Sequence, residues 1–123
     1  MYKAWLSIGA IFGFLGVALG AFGAHALRDT LDAYSRSIYE KAVFYQMFHA
    51  LALIAVGLLQ QGQQHLSLNF SGWSFCAGIV LFSGSLYVLA TTGVKWLGAI
   101  TPFGGIGFLL GWAWMAFAIW KNL

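Results

Sequence analysis

The sequence predicts an all-α membrane protein, a bundle of four transmembrane helices that uses residues 1–123 as a single integral membrane domain. One observation is composition: 61% of the residues are hydrophobic and 7% are charged, against about a quarter charged in soluble proteins. Four stretches without a charged residue are also long enough to cross a bilayer, which takes about 20 helical residues. These stretches are continuously apolar, whereas membrane-spanning strands alternate.

The predicted spans cover most of the chain and comprise residues 4–24, 42–60, 70–94 and 102–120. We expect Thr101 to cap the fourth span, with Pro102 in the first turn, where the missing N–H of proline costs nothing. Before the second span, Ser37 and Glu40 have the spacing of a capping box, which predicts a helix start near Ile38.

A short interfacial amphipathic segment is expected between helices 1 and 2. Its apolar residues recur at spacings of four, three and four, while its charged residues lie on other faces. The apolar positions are Leu27, Leu31, Tyr34 and Ile38. Segments of this kind lie at the membrane surface rather than across it.

Aromatic and basic residues indicate how the spans are arranged. In an up-down-up-down path, one membrane interface holds Tyr2, Trp5, Trp73 and Trp120, and the opposite one holds Tyr39 and Trp96. This is the pattern of an aromatic belt. The first and third loops contain four Lys or Arg residues and the other side contains two, which favours cytoplasmic loops and outside termini.

A glycine stripe runs along the first span. Its members are spaced four, three, four and three residues apart, so they share one helix face. They are Gly9, Gly13, Gly16, Gly20 and Gly23. Because small residues let helix backbones approach closely in lipid, the stripe predicts a packing face, either within one bundle or between copies of the chain. The last span repeats the spacing with Gly104, Gly107 and Gly111.

His49 is the polar residue placed most deeply in the predicted spans, with Gln46 and Tyr45 three and four residues before it. An ionisable residue at membrane depth suggests a functional site by default. Three interpretations remain open: a structural hydrogen bond to Tyr45 or to a third-span hydroxyl, a proton or substrate site, and a metal or haem ligand. His25 is a further candidate, although it falls near the membrane surface, about two helical turns away in depth.

No catalytic, cofactor-binding or metal-binding residue is predicted. The acidic residues Asp29, Asp32 and Glu40 cluster in one loop, so no carboxylate pair or Ser-His-Asp set can be assembled. Cys76 is the only cysteine, which excludes a disulfide or a cysteine cluster. The net charge of +3 comes from six scattered Lys and Arg residues, which argues against nucleic-acid binding.

Two segments carry a family resemblance: residues 20–27 read GAFGAHAL and residues 45–53 read YQMFHALAL. In these motifs and in the order of its spans, the chain resembles the YgdD/YwdK-type family of small bacterial inner-membrane proteins of unknown function. The resemblance implies a multi-pass protein of the cell inner membrane and supplies no catalytic residue. It draws attention to the matching positions His25, Tyr45, Gln46 and His49.

Three function hypotheses follow. The leading one is a non-enzymatic interaction or accessory protein whose partners are the lipid bilayer and either a second copy or another membrane protein. The second is a small carrier or proton-linked channel in which the polar site around His49 shares a cavity with the third-span hydroxyls of Ser83, Ser85 and Thr91. The third is a module that binds haem, quinone or phospholipid against the aromatic-rich fourth span.

Overall fold

The computed structural model describes residues 1–123, which form helices joined by short turns. Four helices are long and apolar enough to cross a membrane, so the predicted all-α class is confirmed. They are α1 (Tyr2–His25), α2 (Ala33–Gly62), α3 (Asn69–Thr92) and α4 (Thr101–Asn122). Gly93 ends α3 with the positive φ of 74° that suits glycine, and a 3-10 turn, Lys95–Ala99, leads into α4.

The start of α2 lies earlier than the sequence analysis predicts. The carboxylate of Asp32 accepts a hydrogen bond from the backbone N–H of Ser35 at 2.7 Å and is the true N-cap. The same hydrogen bond is the main reason why the pKa of the Asp32 carboxyl lies below its ordinary value. The predicted capping box of Ser37 and Glu40 is wrong, because both residues lie in a helix that has already begun.

The interfacial segment is not a separate helix. Residues 26–31 are turns and bends, and the rest of the segment belongs to α2. Leu31 and Ile38 are buried and pack in one cluster with residues of α2 and α3, whereas Tyr34 is exposed. The apolar residues of this segment therefore fasten the first loop onto the bundle.

The start of α4 matches the prediction only in part. Pro102 occupies the first turn, but Thr101 makes no capping hydrogen bond. The hydroxyls of Thr101 and Ser85 in α3 lie 2.6 Å apart. Because the Ser85 hydroxyl donates to the carbonyl of Phe82 at 3.0 Å, Thr101 is the donor to Ser85. Thr101 thus links α4 to α3 instead of capping α4.

Glycines of α1 lie at the contact with α2, against which α1 packs almost entirely. A Cβ atom at Gly9 would lie 2.8 Å from the carbonyl oxygen of Ala50, closer than real Cβ contacts. At Gly16 it would collide with the Met47 side chain, and at Gly23 with the ring of Tyr39. This close approach is made within a single chain.

The other two glycines of the stripe are less crowded. A Cβ atom at Gly20 would meet only Val43, with its Cγ1 at 3.4 Å, and one at Gly13 would meet nothing within 4 Å. Gly13 therefore lies beside the α1–α2 contact rather than in it.

The third helix changes its packing partner along its length. Its first half packs on α4, where the Ser71 hydroxyl donates to the Gly111 carbonyl at 2.7 Å. Its last turns pack on α2, where the Ser83 hydroxyl donates to the Ala42 carbonyl at 2.7 Å. Both hydrogen bonds are buried and satisfy hydroxyls that would otherwise face hydrocarbon.

A π-helical turn, Ile79–Ser83, separates these two halves of α3. Gly104 of α4 lies opposite it, so close to the backbone of Phe82 that a Cβ atom would collide there. π-helical turns are inserted distortions of an α-helix and are frequent at functional sites. Here the turn lies where α3 passes from one neighbour to the other.

The buried apolar side chains form two clusters. The larger contains eleven residues around Trp5, Phe75 and Phe108, and the smaller contains seven around Tyr39 and Leu86. Trp5, which the sequence assigns to the aromatic belt, is fully buried. Its ring packs edge-on against Trp73 with centroids 5.1 Å apart, so at this end of the bundle it faces the core rather than lipid.

Candidate polar site in the membrane interior

The centre of the bundle contains one buried histidine, His49 of α2, which is 3% exposed. Its Nδ1 lies 2.8 Å from the backbone carbonyl of Tyr45, and its Nε2 lies 3.0 Å from the indole Nε1 of Trp112 in α4. A carbonyl only accepts and an indole N–H only donates, so Nδ1 carries the hydrogen and Nε2 accepts. The ring is therefore neutral, and protein groups occupy both nitrogens.

Aromatic side chains enclose the imidazole ring of His49. Phe108 of α4 stacks on it with centroids 3.6 Å apart and ring planes 7° apart. The rings of Phe48 and Phe75 lie at 5.3 and 5.4 Å. Protonation would place a charge in this apolar enclosure and remove the acceptor that Trp112 uses. The arrangement suits a structural imidazole better than a proton carrier.

Gln46 links three helices through two hydrogen bonds. Its side-chain N–H₂ donates to the Phe12 carbonyl of α1 at 2.9 Å, and its oxygen accepts from the Tyr87 hydroxyl of α3 at 2.7 Å. Tyr87 lies edge-on to Tyr39, whose own hydroxyl donates to the Leu19 carbonyl of α1 at 2.5 Å. These partly buried bonds join α1, α2 and α3, each contributing about 0.6 kcal/mol by membrane-protein averages.

The other candidate residues take different places. Tyr45 offers His49 its backbone carbonyl rather than its hydroxyl, and its ring is 37% exposed and packs on Phe82 at 4.6 Å. His25 is exposed and ends α1. The structure thus joins His49 and Tyr45, places Gln46 in a separate hydrogen-bond chain, and leaves His25 outside both.

The hydroxyls of α3 do not join His49. Ser83 and Ser85 donate to the backbone carbonyls already described, and Thr91 donates within its own helix to the Tyr87 carbonyl at 2.9 Å. The carrier hypothesis needs these hydroxyls and His49 to line one cavity. That set is not assembled in the structure.

An apolar groove of about 560 Å³ runs between α2 and α4 beside His49. It lies on the outside of the bundle, since its lining residues Phe44 and Leu109 are 61% and 71% exposed. No acidic residue, lysine or arginine lines it. Its occupant would be an apolar molecule, and the lining residues are mainly aromatic.

A second polar cluster joins helix ends near the termini. The side-chain oxygen of Asn69, at the start of α3, accepts from the Trp5 indole N–H at 2.9 Å and from the Gln60 side chain at 3.0 Å. The Trp5 bond fixes the orientation of the Asn69 amide, because an indole can only donate. The buried side-chain oxygen of Gln60 has no protein partner.

Trp112 is the site residue that the sequence analysis misses. A usable signal exists, because Trp112 lies in the middle of α4, away from the interfaces where tryptophan is common. An indole N–H at that depth needs an acceptor, and His49 lies midway along α2. No three metal-ligating side chains come together anywhere in the chain.

Sequence comparisons relate the chain to proteins that are named as membrane proteins. Residues 19–105 match the family model described as "Protein of unknown function (DUF423)". The chain is 43% identical over 122 residues to the UPF0382 membrane protein YwdK of Bacillus subtilis (strain 168), covering 98% of this chain and 99% of that protein. It is 47% identical over 119 residues to a UPF0382 membrane protein of Staphylococcus epidermidis (strain ATCC 12228 / FDA PCI 1200), covering 97% of each. No solved structure matches it.

Proposed function

Because this chain belongs to the DUF423 family, with UPF0382 membrane proteins as its relatives, we propose that it is an inner-membrane protein that acts without catalysis, by binding another membrane protein. The match to YwdK confirms the family resemblance found in the sequence, and with the four apolar helices it identifies a multi-pass membrane protein. The side chains of His49 and Gln46 form hydrogen bonds within the bundle. This use of the interior polar groups fits an interaction role better than a catalytic one.

The observation that carries the proposal is the uncovered outer face of α1. In its most apolar window 11% of the residues are buried, against 44% in α2. Ile11, Phe14 and Val17 are 58%, 74% and 63% exposed. Ala10 and Ala18 are also exposed on this face of α1, on either side of Phe14. A second copy or a different membrane protein would fit this face.

Photocrosslinking tests this proposal. A benzophenone amino acid replaces Phe14 in the full chain, and Val80 of α3, which is 61% exposed, serves as the control position. We expect a discrete protein adduct from position 14 and none from position 80. An adduct of twice the monomer mass identifies a second copy, and another mass identifies a different partner. Equal adducts from both positions, or lipid adducts alone, would contradict the proposal.

The loops between helices support an orientation. We infer that the first and third loops face the cytoplasm, because these loops and the first turns of α2 hold four Lys or Arg residues against two on the other side of the membrane. A C-terminal alkaline phosphatase fusion should then be active, and a C-terminal green fluorescent protein fusion should be dark. The opposite pair of results would reverse the orientation.

The groove beside His49 favours a second candidate function, the binding of a quinone or another flat apolar molecule. Its volume of about 560 Å³ lies in the range of small-molecule sites, about 300–1,000 Å³. Leu109→Trp would fill the groove, and Leu58→Trp changes an exposed α2 residue outside it. Quinone retained by the protein and by L58W but lost from L109W would support this function. Haem is not proposed, because both His49 nitrogens are already engaged.

A further inference from the structure

A cleft of about 440 Å³ opens where α1 ends and α2 begins. Its inner wall is apolar and includes Gly20 of α1 and Val43 of α2, whereas its mouth carries Arg28, Arg36 and Glu40. Gly20 adds no side chain to this wall, and a Cβ atom there would meet only Val43, with its Cγ1 at 3.4 Å. This cleft is separate from the groove beside His49, with which it shares no lining residue.

The polarity of the cleft changes along the membrane normal. Arg28 lies in the turn after α1, and Gly20 lies five residues before the end of that helix, about 8 Å deeper at the helical rise. The charged mouth is therefore at the membrane surface and the apolar wall is at hydrocarbon depth. A phospholipid has the same arrangement along the membrane normal, with its charged headgroup at the surface and its acyl chains below.

We propose that this cleft binds an anionic glycerophospholipid. Its phosphodiester lies between the guanidinium groups of Arg28 and Arg36, and one acyl chain lies along Gly20 and Val43. Guanidinium groups match phosphate oxygens geometrically, and basic pockets between transmembrane helices bind lipid headgroups.

The charges at the mouth select the headgroup. Two arginines and Glu40 give a local charge of +1, which one phosphodiester neutralises. The Glu40 carboxylate accepts hydrogen bonds, so it suits a headgroup with hydroxyls, such as that of phosphatidylglycerol. Asp32 of the same loop is occupied by the Ser35 N–H and does not line this cleft.

Two internal hydrogen bonds build the site before any lipid binds. The Arg36 guanidinium donates to the Arg28 backbone carbonyl at 2.5 Å, which anchors the Arg36 side chain to the turn that carries Arg28. The Tyr39 hydroxyl donates to the Leu19 carbonyl at 2.5 Å and fixes the wall of the cleft between the helices. A preformed site loses less entropy when a lipid enters.

Native mass spectrometry of the full chain, loaded with equal amounts of phosphatidylglycerol and phosphatidylcholine of matched acyl chains, tests the proposal. Wild type should retain phosphatidylglycerol preferentially. Arg28→Gln should lower that retention by about tenfold or more, since it removes a charged hydrogen-bond donor. Lys41→Gln makes the same charge change outside the cleft and should stay within about twofold of wild type.

Two substitutions by leucine test whether the apolar wall of the cleft holds the acyl chain. Gly20→Leu should reduce retention, whereas Gly13→Leu, on the same helix but with open space around it, should not. Thermal melting shows that each variant is folded before it is compared, and R28Q carries the test if G20L is unstable. Equal losses in R28Q and K41Q, no preference between the two lipids, or displacement of the lipid by excess inorganic phosphate would overturn the proposal.

Discussion

Replacing Gly9 by alanine should loosen the bundle, whereas the same replacement at Gly13 should not. A Cβ atom at Gly9 would lie 2.8 Å from the carbonyl oxygen of Ala50 and 3.1 Å from the backbone nitrogen of Ile54. Ordinary contacts begin at 3.4 Å, so α1 and α2 would have to separate by about 0.6 Å at this point. Backbone atoms cannot rotate away as a side chain can.

The size of the effect follows from two opposing contributions. Alanine favours a helix over glycine by up to about 1 kcal/mol, and this gain applies equally at both positions. Overpacking a close contact costs about 1–3 kcal/mol, and this loss applies only at Gly9. The difference in unfolding free energy between G13A and G9A should therefore be about 1–3 kcal/mol in favour of G13A.

Reversible unfolding in mixed detergent micelles, followed by tryptophan fluorescence, measures this difference. Six tryptophans report on the bundle, and neither substitution removes one. If G9A and G13A unfold at the same detergent fraction, the glycines do not set the distance between α1 and α2.

Further predictions concern the polar contacts. Gln46→Leu should destabilise the protein more than Tyr87→Phe in the same unfolding assay. Gln46→Leu removes two interhelical hydrogen bonds, at about 0.6–1.7 kcal/mol each, whereas Tyr87→Phe removes one. Equal losses of unfolding free energy would show that the bonds do not act separately. Trp112→Phe should shift the nitrogen-15 resonance of His49 Nε2, which loses its donor, and an unchanged resonance would disprove that bond. Asp32→Ala should speed hydrogen exchange in the first turn of α2 and not in α4. Because the pKa of Asp32 is lowered in the folded state, its contribution should be complete above the ordinary value of 3.8 and be lost as the pH falls through the lower folded value. A protection factor in that turn that does not change over this pH range would contradict this.

The four helices could be predicted because one signal, a continuous apolar run, dominates each of them. Lipid offers the backbone no hydrogen-bond partner, so such a run must become helix whatever its local propensities are. The exact starts depend on weaker, competing signals. Asp32 and the Ser37–Glu40 pair can each cap a helix, and the earlier cap allows Leu31 and Ile38 to reach the core.

Only the part of the candidate site that lies on α2 could be predicted from the sequence. The depth of His49 and the nearness of Tyr45 follow from their position in a single helix. The contact with Trp112 depends on which face α4 turns toward α2. Aromatic residues occur all around α4, so its sequence gives little sign of that face. The burial of Trp5 depends in the same way on Gly72 of α3, whose missing side chain leaves space for the indole.

The π-helical turn in α3 also sets the orientation of the residues that follow it. Because such a turn accommodates one extra residue, a substitution that rewound Ile79–Ser83 as regular α-helix, with no residue removed, would rotate everything that follows by about 100°. The helix would still be long enough to cross the bilayer, and its hydropathy would hardly change. Yet Tyr87 would turn its hydroxyl away from Gln46, so a change invisible to any hydropathy plot would break a hydrogen bond that joins α3 to α2.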